Sequence, residues 1–411
     1  MTTFFFYGTL CHAPLLAAVL GRPATGRSAI LPDHAIHWAE GGSFPLIRAE
    51  PGASAQGLLL DALTEAEVAR LDHYEGGFGY LTRDLAVQVG STTVTARVYF
   101  PKPGLWQPGA PWSLADWVAR YAPAALATAT EFMALMGKVP APALAARYGT
   151  MLTRGAAQVR AQTPSPATLR RKAVPEDVAL AARRFPYAKF FAVEEWDIGW
   201  RQFDGTMGAP AERAVFVMAD AVTVLPYDPV RDRVLLIEQF RAGPLARGDV
   251  AAWQLEAVAG RIDPGETPEE AARREALEEA GLTLSALIPV GNYYPSPGAI
   301  TEYLYSYVAL VDLPDGSAGI FGLPEEAEDI RGHLLSFDRM MDLVASGEIA
   351  NAPLMLTALW LQRERPPPPR HLTRPPPSCP KAAAQAIPTT GRLQHLLPLQ
   401  YPFAPPPHPT R

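Results

Sequence analysis

Apolar and polar residues are arranged with strand character at both ends of the first hundred residues. Residues 3–7 form a short, mostly aromatic run, and residues 93–100 alternate between polar and apolar side chains. An alternation with period two sends successive side chains to opposite faces of a strand. The pattern predicts β-strands in both segments, and we expect residues 1–100 to form one domain.

The next part of the chain has the composition of helices. Residues 101–111 combine proline and glycine, as linkers do, whereas residues 113–137 and 143–161 are rich in alanine and leucine. Both residue types have high helix propensity. Residues 101–185 are therefore predicted to be a linker followed by a helical segment.

Strand character returns in the third part, residues 186–363. Residues 221–225 and 233–241 are mostly apolar, and the aspartates and proline of residues 228–232 indicate a turn between them. This arrangement predicts a strand pair. The remaining residues, 364–411, are dense in proline and contain few periodic apolar positions, which predicts a disordered tail.

Length and charge limit the classes of protein that the chain can belong to. It has 411 residues, which is enough for two domains. Its formal net charge is −6 and its isoelectric point is about 5.8. This balance lacks the basic footprint of proteins that bind nucleic acid or an anionic membrane. We expect a small-molecule partner instead.

The cysteines and the N-terminus point to a cytoplasmic protein. Cys11 and Cys379 are far apart, which fits neither a disulfide framework nor a zinc site. The first residues, MTTFFFYGTL, lack the basic region and long apolar run of a signal peptide. No apolar stretch is long enough for a membrane span, so we expect no membrane association.

One stretch carries the clearest chemical pattern. Residues 260–282 read GRIDPGETPEEAARREALEEAGL. Thr267 has a hydroxyl that can cap a helix, Pro268 suits the first helical position, and Glu270 stands where a capping-box carboxylate belongs. Gly281 suits the left-handed residue that ends a helix. The segment predicts a helix that begins after Thr267 and ends at Gly281.

Within this helix, acidic side chains share one face. Glu275, Glu278 and Glu279 are spaced i, i+3 and i+4, so they project from the same side. Carboxylates this close repel one another unless a cation neutralises them, and hard oxygen ligands suit Mg²⁺ or Mn²⁺ held with phosphate oxygens. Arg274 would hold these carboxylates through charge-assisted hydrogen bonds. The alternative interpretation is a solvated acidic helix face.

The spacing of these residues resembles the Nudix box, the signature of hydrolases that cut a nucleoside diphosphate linked to another group. Gly260 and Glu266 precede the helix in register, and the match has no gaps. Ala276 departs from the pattern, because a larger aliphatic residue is usual there. The resemblance implies a Nudix sandwich with α-β-α layers in the C-terminal half of an α+β protein. It also implies Mg²⁺ as the cofactor, with Mn²⁺ as a substitute.

Residues 186–363 resemble the ADP-ribose pyrophosphatase branch of the Nudix hydrolases, especially its tellurite-resistance-associated members. The similar segments include FFAVEEW at 190–196, WQLEAVAGRID at 253–263 and YPSPGAITE at 294–302. The resemblance implies that Arg241 binds a phosphate and that Phe190 stacks on adenine. It implies further substrate contacts, by Arg213 across a dimer interface and by Glu256, Ser296 and Gly298.

The same resemblance implies a reaction in which ADP-ribose and water give AMP and ribose 5-phosphate. The carbonyl of Ala259 would help the three helix carboxylates to hold the metal, and Glu326 would deprotonate the attacking water. Glu328 is the alternative base, and a solvated acidic loop is the alternative interpretation of the run around it. Family members are typically homodimers whose N-terminal strands complete the substrate site, so we expect a homodimer.

The N-terminal part carries a second candidate site. FYGTL at 6–10 follows the first predicted strand, and its glycine turn can present backbone N–H groups to a carboxylate or oxyanion. Together with Glu75, this motif resembles the gamma-glutamylcyclotransferase-like (AIG2-like) family over about residues 3–100. The resemblance implies a small mixed β-barrel in which Glu75 moves the amine proton while 5-oxoproline forms. The implied substrate-binding residues are Tyr7, Gly8, Thr9 and Leu10. The alternative is a barrel that has kept its fold and lost catalysis.

The sequence leaves functional hypotheses of different kinds. The leading one is a metal-dependent ADP-sugar pyrophosphatase that carries a cyclotransferase-like domain. Another makes the N-terminal domain an enzyme acting on γ-glutamyl amines. A third is a sensor whose Nudix half binds ADP-ribose without turnover. The acidic set of Glu275, Glu278 and Glu279 together with Glu326 argues against a sensor, because a pure binder does not need metal ligands and a base together.

Overall fold

The computed structural model describes residues 2–323 and 327–365. The predicted base Glu326 and the predicted proline-rich tail beyond residue 365 lie outside the described residues. The chain up to Glu364 forms one compact unit. Among the helices described, none has both the length and the apolar character that crossing a membrane requires.

Strands of the N-terminal half close into a barrel. They are β1 (Thr2–Phe6), β2 (Arg27–Ala39), β3 (Pro45–Leu63), β4 (Tyr80–Val89), β5 (Thr92–Pro101) and β6 (Pro108–Pro111). The order is β3-β1-β5-β4-β2, and β2 pairs again with β3, which closes the ring. β1 and β5 run parallel, whereas the other barrel pairs are antiparallel. The predicted small mixed β-barrel is confirmed.

The alternation of β1 separates two hydrophobic cores. Phe5 points into the barrel, where it packs with residues such as Leu59 and Val98. Phe4 and Phe6 point to the outer face, because successive side chains of a strand lie on opposite sides. Helices α1 (Ala13–Leu20) and α2 (Glu65–Gly76) contribute to the same outer core.

The helical middle of the chain belongs to that outer core as well. Its helices are α3 (Leu114–Arg120), α4 (Ala122–Ala134), α5 (Ala141–Ala145) and α6 (Tyr148–Arg160). The first predicted helical stretch is divided at Tyr121, because Pro123 suits the first turn of a helix but not its interior. Trp117, Phe132 and Met151 are buried against the barrel helices. The segment is thus packed on the barrel.

A separate antiparallel sheet follows, with the order β7-β8-β9. Its strands are β7 (Val178–Ala188), β8 (Ala192–Trp200) and β9 (Ala211–Val217). The domain boundary predicted between residues 185 and 186 falls inside β7. Val178, Leu180 and Trp200 are exposed on this sheet.

The C-terminal half is built around a larger mixed sheet. Its strands are β10 (Ala221–Asp228), β11 (Arg233–Phe240), β12 (Trp253–Glu256), β13 (Val258–Arg261), β14 (Ala286–Tyr293), β15 (Leu304–Leu310), β16 (Ile320–Phe321) and β17 (Ile330–Ser336). The predicted pair β10 and β11 is antiparallel but short, because β10 turns to β13 and β15 while β11 turns to β12 and β17. In the turn between them, the carboxylate of Asp228 accepts hydrogen bonds from the N–H groups of Val230 and Arg231.

Helices α8 (Pro268–Ala280), α9 (Phe337–Ser346) and α10 (Ala352–Glu364) cover the two faces of this sheet. A short helix, α7 (Ala242–Arg247), follows β11 and has no buried residue. Along β11, Leu235 and Ile237 pack with α8, whereas Val234 and Leu236 pack with α9 and α10. The α-β-α sandwich that the Nudix resemblance implies is therefore confirmed.

Charged contacts connect the helical middle to the C-terminal half. Arg154 of α6 forms a buried ion pair with Glu131 of α4, with 2.5 Å between Nη2 and Oε1. The same guanidinium donates to the carbonyl of Phe190 at 3.0 Å. Arg160 donates to the buried carboxylate of Asp220 at 2.8 Å. These contacts fix α6 against the segment that leads into the large sheet.

Candidate active site

The helix that carries the acidic pattern has the predicted ends. The hydroxyl of Thr267 accepts a hydrogen bond from the N–H of Glu270, whose carboxylate accepts one from the N–H of Thr267. Pro268 occupies the first turn, and Gly281 adopts φ of 63° in the left-handed region. The local sequence thus determines both helix ends.

The carboxylates of α8 lie against the neighbouring strand β13. Glu279 is 2% exposed, and its Oε2 accepts a hydrogen bond from the N–H of Ala259 at 2.8 Å. A Cβ added to Gly260 would lie 1.9 Å from Oε1 of Glu275. Glycine is required at this position because the carboxylate of Glu275 occupies the space that a side chain would fill.

Arg274 organises the acidic face. Its guanidinium donates to both carboxylate oxygens of Glu266, at 2.9 and 3.0 Å. It also donates to Glu275 at 2.7 Å and to Glu278 at 3.1 Å. A fifth bond reaches the carbonyl of Arg261. The predicted role of Arg274 in holding these carboxylates agrees with this geometry.

Burial makes these carboxylates costly to ionise. Loss of solvent, together with repulsion from neighbouring carboxylates, raises the pKa of Glu275 to about 7 and that of Glu279 to about 8, although hydrogen bonds to Arg274 and Ala259 oppose the shifts. A cation in contact with both groups would offset this desolvation. Their oxygen chemistry fits a hard divalent ion such as Mg²⁺.

Arg274 already occupies oxygens of Glu275 and Glu278. Within residues 2–323 and 327–365, no group of three or more histidine, cysteine, aspartate or glutamate side chains forms a ready-made metal site. The fit to a divalent ion therefore rests on the donor chemistry, the burial and the close approach to Gly260.

A cavity of about 830 Å³ is lined on one side by the α8 carboxylates Glu275, Glu278 and Glu279. Its size lies in the range of about 300–1,000 Å³ that is usual for ligand sites. Arg241, at the end of β11, lines it and is held by Glu256 through paired bonds of 3.0 and 2.8 Å. Because both oxygens of Glu256 are engaged, this residue positions Arg241.

Aromatic residues form another wall of this cavity. Phe190 lines it and is 55% exposed, and the guanidinium of Arg261 lies 4.0 Å from the centre of the Phe190 ring. The ring of Phe190 is thus exposed at the cavity and already has a planar guanidinium over it. Glu302 also lines the cavity, and burial raises the pKa of its carboxyl group.

The acidic loop is described only in part. Glu328 lines the cavity, and its carboxylate accepts a hydrogen bond from the N–H of Leu323 at 3.4 Å. The like charge of Glu328 contributes to the raised pKa of Glu275 and of Glu279. The alternative base therefore faces the carboxylate cluster. Glu326, outside the described residues, stays a prediction.

Three residues predicted to bind substrate lie away from the described lining of this cavity, namely Arg213, Ser296 and Gly298. Arg213 is exposed on β9, with its guanidinium over the ring of Trp200. Ser296 and Gly298 are exposed in a turn in which the carbonyl of Ser296 accepts from the N–H groups of Ala299 and Ile300. Their predicted contacts with substrate stay predictions.

The N-terminal candidate residues meet in a second cavity of about 410 Å³. Those that line it are Tyr7, Gly8, Thr9, Leu10 and Glu75. A Cβ on Gly8 would lie 2.6 Å from Cγ of Pro45, so glycine is needed for this close approach. After it, Thr9–Cys11 forms a short 3₁₀ turn.

Glu75 has the environment of an acid/base group. It stands near the end of α2, and burial raises the pKa of its carboxyl group to about 7. Tyr7 and Tyr80 line the same cavity, and burial raises the pKa values of their hydroxyls as well. The site thus places one titratable carboxyl group among tyrosines.

Comparisons with known families agree with this division into two sites. A family model described as NUDIX domain matches residues 218–356. A second, described as Gamma-glutamyl cyclotransferase, AIG2-like, matches residues 4–119. The combination of both domains in one chain is confirmed.

Similar proteins strengthen the first match. The ADP-ribose pyrophosphatase of Escherichia coli (strain K12) is 41% identical over 186 residues, which is 45% of this chain and 88% of that protein. The chain belongs to the Nudix family. The ADP-ribose pyrophosphatase of Haemophilus influenzae is 31% identical over 189 residues, 46% of this chain and 87% of that protein. The Nudix domain is thus that of a hydrolase.

Two further comparisons are more distant. A GDP-mannose pyrophosphatase of Salmonella paratyphi A is 32% identical over 151 residues, 37% of this chain and 78% of that protein. A solved structure titled "Crystal structure of ADP compounds hydrolase" is 23% identical, with a TM-score of 0.36, and covers 46% of this chain and 97% of that one.

Some cavity residues of the Nudix domain have no clear signal in the sequence. Arg261 and Asp263 lie inside the box segment but carry no part of its spacing, and Glu302 is the last residue of the segment at 294–302, beyond its turn at residues 296–298. Thr150 and Thr153 of α6 line the same cavity. Neither threonine is near the box along the chain, so only tertiary packing identifies them.

We predict that Gly260→Ala lowers the hydrolytic rate of the Nudix domain on the order of 100-fold, because the new methyl group displaces the carboxylate of Glu275 by an ångström or more. The measurement is the initial rate, with circular dichroism to verify folding. Gly291→Ala is the matched control, since a Cβ there meets no atom within 4 Å. Equal rates for the two variants would contradict the prediction.

Proposed function

We propose that the protein hydrolyses the diphosphate of ADP-ribose or a related ADP-sugar, giving AMP and a sugar phosphate. The observation that carries the proposal is that Arg241 and the buried carboxylates of α8 open onto one cavity with Phe190. This arrangement offers a guanidinium for phosphate, acidic groups for a cation and a ring for a base. The names of the ADP-ribose pyrophosphatase relatives support the substrate class.

The acidic face is proposed to hold Mg²⁺, or Mn²⁺ in its place, through Glu275, Glu278, Glu279 and the carbonyl of Ala259. When bound, such an ion stabilises negative charge on the diphosphate and makes bound water more acidic. The chain itself supplies orientation. Arg274 keeps the carboxylates in place, and Arg241 binds a phosphate oxygen with its guanidinium fixed by Glu256.

Proton removal from the attacking water requires a base. We propose a carboxylate of the loop that contains Glu326 and Glu328. Glu328 lies at the cavity, and the family resemblance favours Glu326. A carboxylate at this cavity can accept a proton from the water that attacks the diphosphate.

A homodimer is proposed from the same half of the chain. The exposed apolar side chains of the three-stranded sheet, among them Val178, Leu180 and Trp200, support association through this surface. Arg213, which is exposed on the same sheet, would then reach the cavity of the partner. A cytoplasmic location also stays a proposal.

We expect Glu279→Gln to abolish ADP-ribose hydrolysis, with a loss of more than about 100-fold, because it replaces a buried carboxylate in the proposed cation site. AMP release in the presence of Mg²⁺ measures the effect. Glu269→Gln on the exposed side of the same helix is the control. Full activity of Glu279→Gln would refute the proposed metal site, and ADP-ribose binding without turnover in the wild type would support the sensor hypothesis.

The choice of base makes a separate prediction. Glu326→Gln should lower kcat by about 10²–10⁴-fold with little change in KM, because a general base acts in the transition state. Glu328→Gln should lower kcat less. Steady-state kinetics of both variants with ADP-ribose decide between them, since the reverse order would assign the role to Glu328.

A second candidate function is supported by the barrel cavity. The amine of a γ-glutamyl compound attacks the γ-carbonyl carbon, a new C–N bond closes 5-oxoproline, and the bond to the leaving amine breaks. Glu75 would take the proton from the attacking amine and return it to the leaving amine. The pKa of about 7 at Glu75 supports this role, because an acid/base group works best when its pKa is near the working pH.

We expect Glu75→Gln to abolish 5-oxoproline release from γ-glutamyl amines while AMP release from ADP-ribose is unchanged. In the wild type, the rate of 5-oxoproline release should rise as the pH rises through about 7, because the ionised carboxylate is the base. Glu65→Gln, exposed at the start of the same helix, is the control. A wild type without release at any pH would support a barrel that has lost catalysis.

A further inference from the structure

Helix α6 lies between the two cavities. Tyr148 and Leu152 line the barrel cavity, whereas Thr150 and Thr153 line the cavity of the Nudix domain. Yet α6 lies outside both matched segments, residues 4–119 and residues 218–356. Neither family therefore accounts for the presence of these threonines at the nucleotide-sugar cavity.

The hydroxyl of Thr153 has a defined capacity for hydrogen bonding. Its side chain is buried, and its Oγ1 donates to the carbonyl of Gly149 at 3.0 Å. A threonine hydroxyl has one proton and two lone pairs. Because the proton is engaged within the helix, Thr153 can offer only lone pairs to a ligand. It is therefore suited to accept a hydrogen bond from an N–H or O–H group.

The helix is held in this place by buried charges. Arg154 follows Thr153 directly, pairs with Glu131, and donates to the carbonyl of Phe190. Phe190 lines the same cavity. At the end of α6, Arg160 pairs with Asp220, next to the first residue of β10. The position of the threonines relative to the aromatic wall is thus fixed by ion pairs rather than by a loose surface contact.

We propose that α6 is a wall of the substrate site of the Nudix domain, where the hydroxyls of Thr150 and Thr153 contact the ADP-sugar and help to determine its affinity. This inference rests on the proposed function. Ligand sites of this size bury about 70–90% of the surface of their ligand. An occupant that reaches Arg241 and the α8 carboxylates therefore also contacts other lining residues, such as Thr150 and Thr153 of α6. Thr153 accepts a hydrogen bond from an amino or hydroxyl group of the ligand.

The test replaces both hydroxyls while keeping the side-chain shape, in the full chain with Thr150→Val and Thr153→Val. Each lost hydrogen bond to a neutral group weakens binding by about 3- to 10-fold. We expect KM for ADP-ribose to rise about 10-fold or more while kcat changes less than about twofold. The single variant Thr153→Ser keeps both hydroxyls, so its affinity for ADP-ribose should stay close to that of the wild type.

Thr130→Val is the matched control. Thr130 of α4 makes the same kind of bond, to the carbonyl of Leu126, but it is exposed and lines neither cavity. Thermal unfolding verifies that the variants fold. Unchanged KM in the double variant, or an equal rise in the control, would overturn the inference.

Binding measurements separate the outcomes. Calorimetry with ADP-ribose and with AMP, on the Glu279→Gln background, shows which end of the ligand meets α6. Weaker binding of both ligands in the double threonine variant places the contact at the nucleoside, and weaker binding of ADP-ribose alone places it at the terminal sugar. Wild-type protein that binds ADP-ribose without hydrolysing it would refute only the proposed function. Wild-type protein that does neither would refute both.

Discussion

The burial of carboxylates against a glycine backbone is the constraint on which the Nudix half depends. Glu275 fills the space beside Gly260, and Glu279 accepts from the N–H of Ala259. Removing these groups from water costs free energy, which hydrogen bonds, a cation or a proton can offset. Arg274 supplies part of the compensation, and the capped helix α8 supplies the rigid placement. Strand β13 with Gly260, helix α8 and Arg274 therefore act together to hold negative charge.

A carboxyl group in the barrel cavity is also removed from water, but in a different environment. Glu75 is also raised in pKa by burial, but its neighbours are tyrosines rather than arginine and further carboxylates. A single carboxyl group with a pKa of about 7 exchanges a proton readily, whereas a cluster of carboxylates attracts a divalent ion. The same physical cost thus raises the pKa of carboxyl groups in both cavities, among tyrosines in one and beside Arg274 in the other.

Features that depend on residues close together in the sequence could be predicted, whereas features that depend on contacts between distant segments could not. The ends of α8 depend on residues within one helical turn, so Thr267 and Gly281 identified them correctly. The apolar runs of residues 221–225 and 233–241, with the turn between them, likewise indicated the strand pair β10 and β11. Alanine and leucine content alone predicts one helix over residues 113–137, whereas Pro123 begins a new helix after Tyr121. The placement of Thr153 and the exposure of Arg213 depend on contacts between distant segments, which no local pattern encodes.

Helix α6 separates the two cavities, so a change in its position alters the volume of both. Leu152 and Thr153 are neighbours in the chain but face different cavities. A displacement of the helix toward the barrel therefore enlarges the cavity of the Nudix domain and narrows the barrel cavity. A substitution that moves this helix and so changes the shape of one cavity also changes the shape of the other. The packing of α6 thus couples the shapes of the two cavities.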